Sequence, residues 1–242
     1  MTEFNTATYE AVTQEIRVGV VQMGVKCDEL ITATNRTLSM PLLPGWLADA
    51  LTWCVDRIVE ATKWMVDKVG ALLMNAVAPI QLAAKSFLWV PDVQKPMTEL
   101  AANIAPSQLI SEEYWEGLAY RAYLKAVDDQ PGAATAIASI GGGMATQLLI
   151  CAAAGLLAYV GMGVLIVQFI ATLIASAAGV ASVVFSWAGI AAAAADTFLT
   201  AAAAAAIIGG LVAILTATGE AMLAMRSSMA NFPGADWPDG TK

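Results

Sequence analysis

The residues that could carry out chemistry are few in this chain, and their spacing does not suit catalysis. Histidine is absent, which removes the commonest general base and the commonest transition-metal ligand. The carboxylate pairs Glu112–Glu113 and Asp128–Asp129 would point in different directions on a helix, so solvated helix ends explain them better than acid–base dyads. The glycine run at 141–143 is not a phosphate-binding loop, because no Gly-Lys-Ser/Thr sequence follows it. We therefore expect neither enzymatic activity nor a cofactor.

The three cysteines also offer no site. Cys27, Cys54 and Cys151 lie far apart in the sequence and form no CxxC spacing. Two of them, Cys27 and Cys54, fall beside apolar positions of predicted helices. Buried cysteines that behave as small hydrophobic residues are the expectation, and no metal ligation is predicted.

Charge is distributed very unevenly along the chain. Residues 1–139 carry 26 of the 32 charged side chains, and no charged residue occurs between Asp129 and Asp196. The net charge is −8. An acidic chain without a basic cluster does not suit nucleic acid, because phosphate binding needs grouped lysines and arginines. The sequence thus predicts a polar N-terminal part and an apolar C-terminal part.

Asp196 is the one charge inside the apolar region, since the next is Glu220. An acid within a membrane span is by default a candidate for function. Asp196 also precedes Thr197 at a plausible helix start, where it would act as an N-cap at the membrane interface. We favour the cap.

Two long amphipathic helices are predicted before residue 80. The first covers residues 7–35, and the second runs from about Trp46 to Ala78, with its charged residues on a single face. The apolar residues of the first recur at spacings of three and four and form one stripe: Val12, Ile16, Val20, Met23, Cys27 and Leu30. Such helices suit a bundle or a bilayer surface.

The apolar region at 141–226 is long enough for several membrane crossings, since roughly 20 apolar helical residues span a bilayer core of about 30 Å. Gln147–Ile174 forms one span, with a break at Ser176–Gly179. Val180–Ala195 forms a second span, and a third follows Asp196. We prefer these three spans, although two very long helices are an alternative, as is an alanine-rich soluble bundle.

Small residues are frequent in this region, and they let helix backbones approach closely in lipid. We therefore expect helix packing within one chain or between copies. The glycines assigned to such packing are Gly155, Gly161, Gly163, Gly189, Gly209 and Gly210.

A short motif precedes the apolar region. Trp115-Glu116-Gly117 is a W-x-G triplet, and Tyr123 follows eight residues after the tryptophan. This stretch, over residues 93–140, resembles the WXG100 (ESAT-6-like) family of type VII secretion, in particular actinobacterial proteins with an added hydrophobic C-terminal region. The resemblance implies that W-x-G forms the turn between two antiparallel helices, with Trp115 filling the notch between them.

The sequence departs from that family in two respects. Pro106 interrupts the helix that should precede the turn. The secretion signature, a tyrosine followed four residues later by Asp or Glu, is absent, since Leu124 follows Tyr120 and Val127 follows Tyr123. Secretion would then depend on a partner that carries the signal.

The expected fold is all-α: long amphipathic helices in a bundle with a WXG-type helix-turn-helix, then two or three transmembrane helices. The expected segments are 1–92 (amphipathic), 93–140 (WXG-like), 141–226 (membrane-inserting) and 227–242 (disordered tail). We expect a type VII secretion-associated protein that is secreted and then inserts in a membrane as an oligomeric pore or permeabilising effector. Its partners would be the lipid bilayer and further copies or a WXG-type helical protein. The alternatives are a resident membrane scaffold and a soluble secretion partner.

Overall fold

The computed structural model describes residues 6–41, 43–109, 114–181, 187–227 and 237. The fold is all-α, as predicted, and no strand occurs among these residues. A π-helical turn at Val90–Gln94 joins α3 to α4, and a 3-10 turn at Pro106–Gln108 follows α4. Among the described residues, the α-helices are α1 (Thr6–Leu38), α2 (Gly45–Met74), α3 (Ala78–Trp89), α4 (Lys95–Asn103), α5 (Leu118–Val127), α6 (Gln130–Ala181) and α7 (Trp187–Ser227). The predicted tail lies almost entirely outside the described residues.

The chain forms two compact units. The first contains residues 1–78 and 154–212, and the second contains residues 79–153 and 213–242. The long helices α6 and α7 therefore contribute residues to both. These units do not coincide with the four segments drawn from the sequence.

In the first unit, α1 buries one face whose key residues recur every seven positions. Ile16, Met23 and Leu30 are fully buried, as the apolar stripe predicts. Tyr9 extends the same seven-residue series at its start and is only 1% exposed, although the stripe did not include it. The repeat is typical of coiled-coil packing, in which each side chain inserts between residues of the facing helix.

Helix α2 buries a matching series. Leu51, Ile58 and Met65 lie seven residues apart and are buried. The helix begins directly after Pro44, whose backbone is extended, and it ends at Met74. That end precedes the predicted Ala78, because Asn75 leaves the helical conformation at the C-cap.

The part of α6 in the first unit supplies a third seven-residue series, and it is the most regular one. Tyr159, Ile166, Leu173 and Val180 form one line of buried residues. Met162, Phe169 and Ser176 form a parallel line that is equally buried. We call these seven residues the covered face of α6.

Hydrogen bonds fix the directions of the three helices. The Tyr9 hydroxyl donates to the Ala76 carbonyl oxygen at 2.6 Å, which places the start of α1 at the end of α2. The Tyr159 hydroxyl donates to the Leu72 carbonyl at 2.6 Å. At the other end of α1, the Thr37 hydroxyl donates to the Val180 carbonyl at 2.9 Å. Helix α1 is therefore antiparallel to α2 and parallel to α6.

In the first unit, α7 returns along α6 in the opposite direction. Thr172 of α6 bonds to Asp196 of α7, and Gly161 of α6 lies against Ile207. The connection between the two helices, residues 182–186, is outside the described residues.

The predicted break at Ser176–Gly179 is wrong, because α6 continues through it to Ala181. Small residues inside an apolar helix cost at most about 1 kcal/mol each, which packing along the covered face easily offsets. The Ser176 hydroxyl donates to the Thr172 carbonyl at 2.7 Å, so it needs no other partner. The described residues of the apolar region thus form two long helices, not the three preferred from the sequence.

In the second unit, the glycine run at 141–143 is also helical. These glycines allow close approach. A side chain on Gly141 would lie 3.1 Å from the backbone nitrogen of Gln94, and one on Gly143 would lie 2.7 Å from Met225. Nearby, the Cys151 sulfur is 2.9 Å from the Thr218 hydroxyl. The run therefore serves helix packing.

The seven-residue core makes a stability prediction. Ile16→Ala removes a fully buried side chain, and the free energy of unfolding should fall by about 2–5 kcal/mol because of lost burial and the cavity left behind. Val21→Ala on the same helix, where the valine is 67% exposed, should change it by less than about 0.5 kcal/mol. Urea unfolding followed by circular dichroism measures both, and equal losses would contradict this packing.

Candidate membrane-inserting hairpin

Three helical segments are long and apolar enough to cross a membrane: Gly45–Asn103, Leu118–Ala181 and Ala191–Met225. They differ in how far the protein itself covers them. In the most apolar 18-residue window of each segment, taken in chain order, 22%, 44% and 11% of the residues are buried. The third segment, which is most of α7, is therefore the least covered apolar helix of the three.

Helix α7 is exposed along most of its length. In the first unit its buried residues are Thr197, Thr200 and Ala204, all small. Large apolar side chains point outward instead, with Phe198 and Leu199 69% and 67% exposed. A helix that is apolar all round is normally buried in a protein core or in lipid.

Helix α6 has a second apolar face besides the covered one. Its members recur at spacings of three, four and seven, and all are exposed: Leu157, Val160, Val164, Val167 and Ile174. We call these five residues the open face. It extends over about 26 Å at 1.5 Å per residue, close to the roughly 30 Å of a bilayer core. The same helix segment thus presents apolar side chains both to the protein and to its surroundings.

The glycines singled out in the sequence fall into two groups. Gly155 is buried, Gly189 is half-buried, and both Gly161 and Gly163 face neighbouring helices. A side chain on Gly161 would lie 3.0 Å from Ile207, and one on Gly163 would lie 3.8 Å from Ile16.

Gly209 and Gly210, by contrast, are exposed with open space around them. The closest approach in the first unit involves a glycine that the sequence did not single out. A side chain on Gly19 would overlap Ile166 of the covered face. The role of Gly19 in close packing becomes visible only when α6 is placed against α1.

Asp196 does not cap a helix start, contrary to the prediction. Helix α7 begins at Trp187, so Asp196 lies nine residues inside it. Its carboxylate accepts a hydrogen bond of 2.6 Å from the hydroxyl of Thr172, and the pair is exposed. Thr172 lies nine residues before Ala181, where α6 ends. Both partners are thus about 13.5 Å from the hairpin end of their helix, near half the thickness of a bilayer core.

A pair of tyrosines closes one end of the covered face. The rings of Tyr9 and Tyr159 meet edge to face with centroids 5.3 Å apart. Burial, and then the neighbouring Tyr159, raise the pKa of Tyr9, so its hydroxyl stays a hydrogen-bond donor in alkaline solution. The sequence reading missed this pair, although the seven-residue spacing from Tyr9 to Ile16 was a usable signal.

The W-x-G residues lie together in the second unit. The rings of Trp115 and Tyr123 are 5.6 Å apart, and Gly117 precedes α5 with φ 90° and ψ −155°. Trp115 is 44% exposed, so it does not fill a closed notch. Helix α4 and the turn at Pro106–Gln108 precede this motif in place of one long helix.

The remaining candidate chemistry is sparse. Cys27, Cys54 and Cys151 are buried free thiols, and burial raises the pKa of Cys27, which keeps it protonated. Within the described ranges, no group of three or more His, Cys, Asp or Glu residues is placed to hold a metal ion.

Comparison with known proteins adds no relative: no protein family, no curated protein and no solved structure matches the chain.

The backbone at Gly117 gives a prediction for the turn. Its dihedral angles lie in a region that is almost restricted to glycine, so Gly117→Ala should lower the free energy of unfolding by about 1–3 kcal/mol. Gly132→Ala in the same unit should be neutral or stabilising by up to about 1 kcal/mol, because Gly132 is helical with open space around it. Thermal unfolding of both variants measures these stability changes. Equal changes for Gly117→Ala and Gly132→Ala would exclude a special role for the backbone of Gly117.

Proposed function

We propose that the protein is membrane-active and inserts the hairpin of α6 and α7 into a lipid bilayer. The observation that carries the proposal is the exposure of α7, whose most apolar window is only 11% buried. Exposed contiguous apolar surface of this extent marks a membrane or protein interaction site. The absence of charge from Gln130 to Ala195 favours lipid, because protein interfaces usually carry a polar rim.

The dimensions support two crossings. The first unit contains α6 from residue 154 to 181 and α7 from residue 187 to 212. These stretches measure about 42 Å and 39 Å at 1.5 Å per residue, enough to cross a core of about 30 Å with some tilt. Asp196 is the only charged residue in either stretch.

Permeabilisation would require several copies, because two apolar helices by themselves enclose no water-filled path. Gly209 and Gly210 support such assembly, since they leave open space on an exposed helix face where a second backbone can approach closely. We propose an oligomeric pore on this basis. Delivery by a type VII system belongs to the same proposal and is supported by the W-x-G resemblance alone.

A resident membrane scaffold is the second candidate function. Against it stands the exposed charged surface of α1 and α2, the helices that pack on the covered face of α6. Such a surface suits a water-soluble stage. Carbonate extraction of expressing cells distinguishes the two, because a resident protein would be found only in the membrane pellet. A soluble pool that becomes resistant to extraction after addition of vesicles supports insertion.

Purified protein should float with phosphatidylcholine vesicles in a density gradient and release an encapsulated dye. Uncharged vesicles are chosen because the net charge of −8 disfavours anionic lipid. Flotation without dye release would leave the hairpin inserted but exclude the pore. The absence of both would overturn the proposal.

Two matched valines test whether the open face meets lipid. Val167 of α6 and Val21 of α1 are 68% and 67% exposed, so arginine at either position leaves the soluble fold intact. An arginine at the centre of a membrane helix costs about 2.5–3.5 kcal/mol, so Val167→Arg should weaken vesicle binding by about 60-fold or more. Val21→Arg should bind like the unmodified protein. Equal binding by both variants would show that α6 stays out of the bilayer.

For Asp196→Asn we expect stronger vesicle binding, the opposite of the effect of Val167→Arg. At mid-depth a carboxylate opposes insertion, and Asp196→Asn removes the charge while keeping an acceptor for Thr172. Vesicle binding should strengthen by about 1–3 kcal/mol. Asp67→Asn on the exposed face of α2 changes the net charge equally and should have little effect. If the two variants bind alike, Asp196 does not enter the hydrocarbon.

A further inference from the structure

The covered face of α6 is occupied by two helices that cannot enter lipid with it. Met162, Ile166, Phe169 and Leu173 are at most 1% exposed. Gly19 of α1 lies directly against Ile166, and the Leu72 carbonyl of α2 accepts the hydrogen bond from Tyr159. Helix α2 carries seven exposed charged residues: Asp49, Asp56, Arg57, Glu60, Lys63, Asp67 and Lys68. Helix α1 carries six more: Glu10, Glu15, Arg17, Asp28, Glu29 and Arg36. Even at about 2.5–3.5 kcal/mol each, these charges make joint entry into hydrocarbon prohibitive.

We propose that α1 and α2 are a releasable cover, and that they must separate from α6 before the hairpin enters a bilayer. This inference rests on the proposed function and specifies its regulation. The bundle and the inserted hairpin are mutually exclusive, because both use the same side of α6.

The contacts between the cover and α6 can be replaced by contacts between α6 and lipid. The ion pairs found in the described part of the chain, Lys26–Glu29 and Arg57–Glu60, each lie within one helix. No disulfide ties the helices, since all three cysteines are free. Apolar burial therefore provides most of the attraction, and lipid tails offer the covered face an equally apolar environment.

Release need not unfold the cover. Helices α1 and α2 pack on each other through their own seven-residue series, and the Tyr9 hydrogen bond to Ala76 joins these two helices. The polar contacts to be broken include those from Tyr159 to Leu72 and from Thr37 to Val180. Once released, α1 and α2 form an amphipathic pair that can lie on the membrane surface with its apolar side in the headgroup boundary.

A disulfide between α1 and α6 tests the proposal directly. A side-chain Cβ on Gly19 would lie 3.8 Å from the Cβ of Ile166, the usual separation in disulfides. Gly19→Cys with Ile166→Cys, in a background where the three native cysteines are alanine, should lock the cover when oxidised. We expect vesicle flotation and dye release to fall at least tenfold in the oxidised protein and to return on reduction.

The second unit offers a control crosslink. A Cβ on Gly141 would lie 3.3 Å from the Cβ of Val93, so cysteines there join α6 to the turn at Val90–Gln94 without involving α1 or α2. In the same background, this disulfide should leave insertion unchanged. Helical circular dichroism spectra of both oxidised proteins verify that they are folded.

A variant without a crosslink gives an independent measurement. Thr37→Val removes the hydrogen bond from α1 to the Val180 carbonyl and should raise the insertion rate by about fivefold. Thr52→Val removes a bond to Ala48 within α2 and should not change the rate.

The outcomes distinguish failure of the releasable cover from failure of membrane insertion itself. Full insertion by the oxidised Gly19→Cys/Ile166→Cys protein, or equal loss in both crosslinked proteins, would overturn the releasable cover while leaving membrane insertion in place. Failure of the reduced and the unmodified protein to bind vesicles would overturn the proposed function itself.

Discussion

The structure depends on one contact, the apolar packing of α1 and α2 against the covered face of α6. Three helices present buried residues at seven-residue intervals, and the series meet without an ion pair between helices among the described residues. Glycines bring the backbones together, most closely where Gly19 faces Ile166. Because apolar attraction is non-directional, this geometry rests on the spacing of side chains and on a few hydrogen bonds at the helix ends.

The same contact sets the limits on function. Helix α6 is apolar on both sides, whereas α1 and α2 are apolar on one side and charged on the other. Water favours the bundle because the bundle hides the covered face. In the proposed mechanism, lipid favours the hairpin without α1 and α2, because lipid accepts both faces of α6. In the proposed insertion, the distribution of charge among the helices therefore makes the conformation depend on the solvent. Asp196 is the one charged residue of the two hairpin stretches that opposes the transfer.

Much of the fold could be predicted from local pattern. The apolar stripe of α1 and the all-α class follow from periodicity. The wrong predictions concern residues whose role depends on a contact with another helix, because the sequence pattern of one helix does not show which residues it will contact. The small residues at Ser176–Gly179 predict a break, but the helix continues through them. The glycines at 141–143 lie inside the same helix and allow close contacts. The position of Asp196 before Thr197 predicts a helix cap. Its partner in the structure is Thr172, 24 residues earlier, and no sequence signal identifies that pairing.

The sequence by itself determined that this protein has amphipathic N-terminal helices and a helix-forming apolar region without charge from Gln130 to Ala195, because charge and periodicity are properties of the chain alone. Only the tertiary structure decided which side of α6 is covered and which is open. Both sides are equally apolar in sequence, with Ile166 on one and Val167 on the other, and they differ only in the neighbours that α1 and α2 provide. Burial depends on the facing helix, and no single helix encodes it.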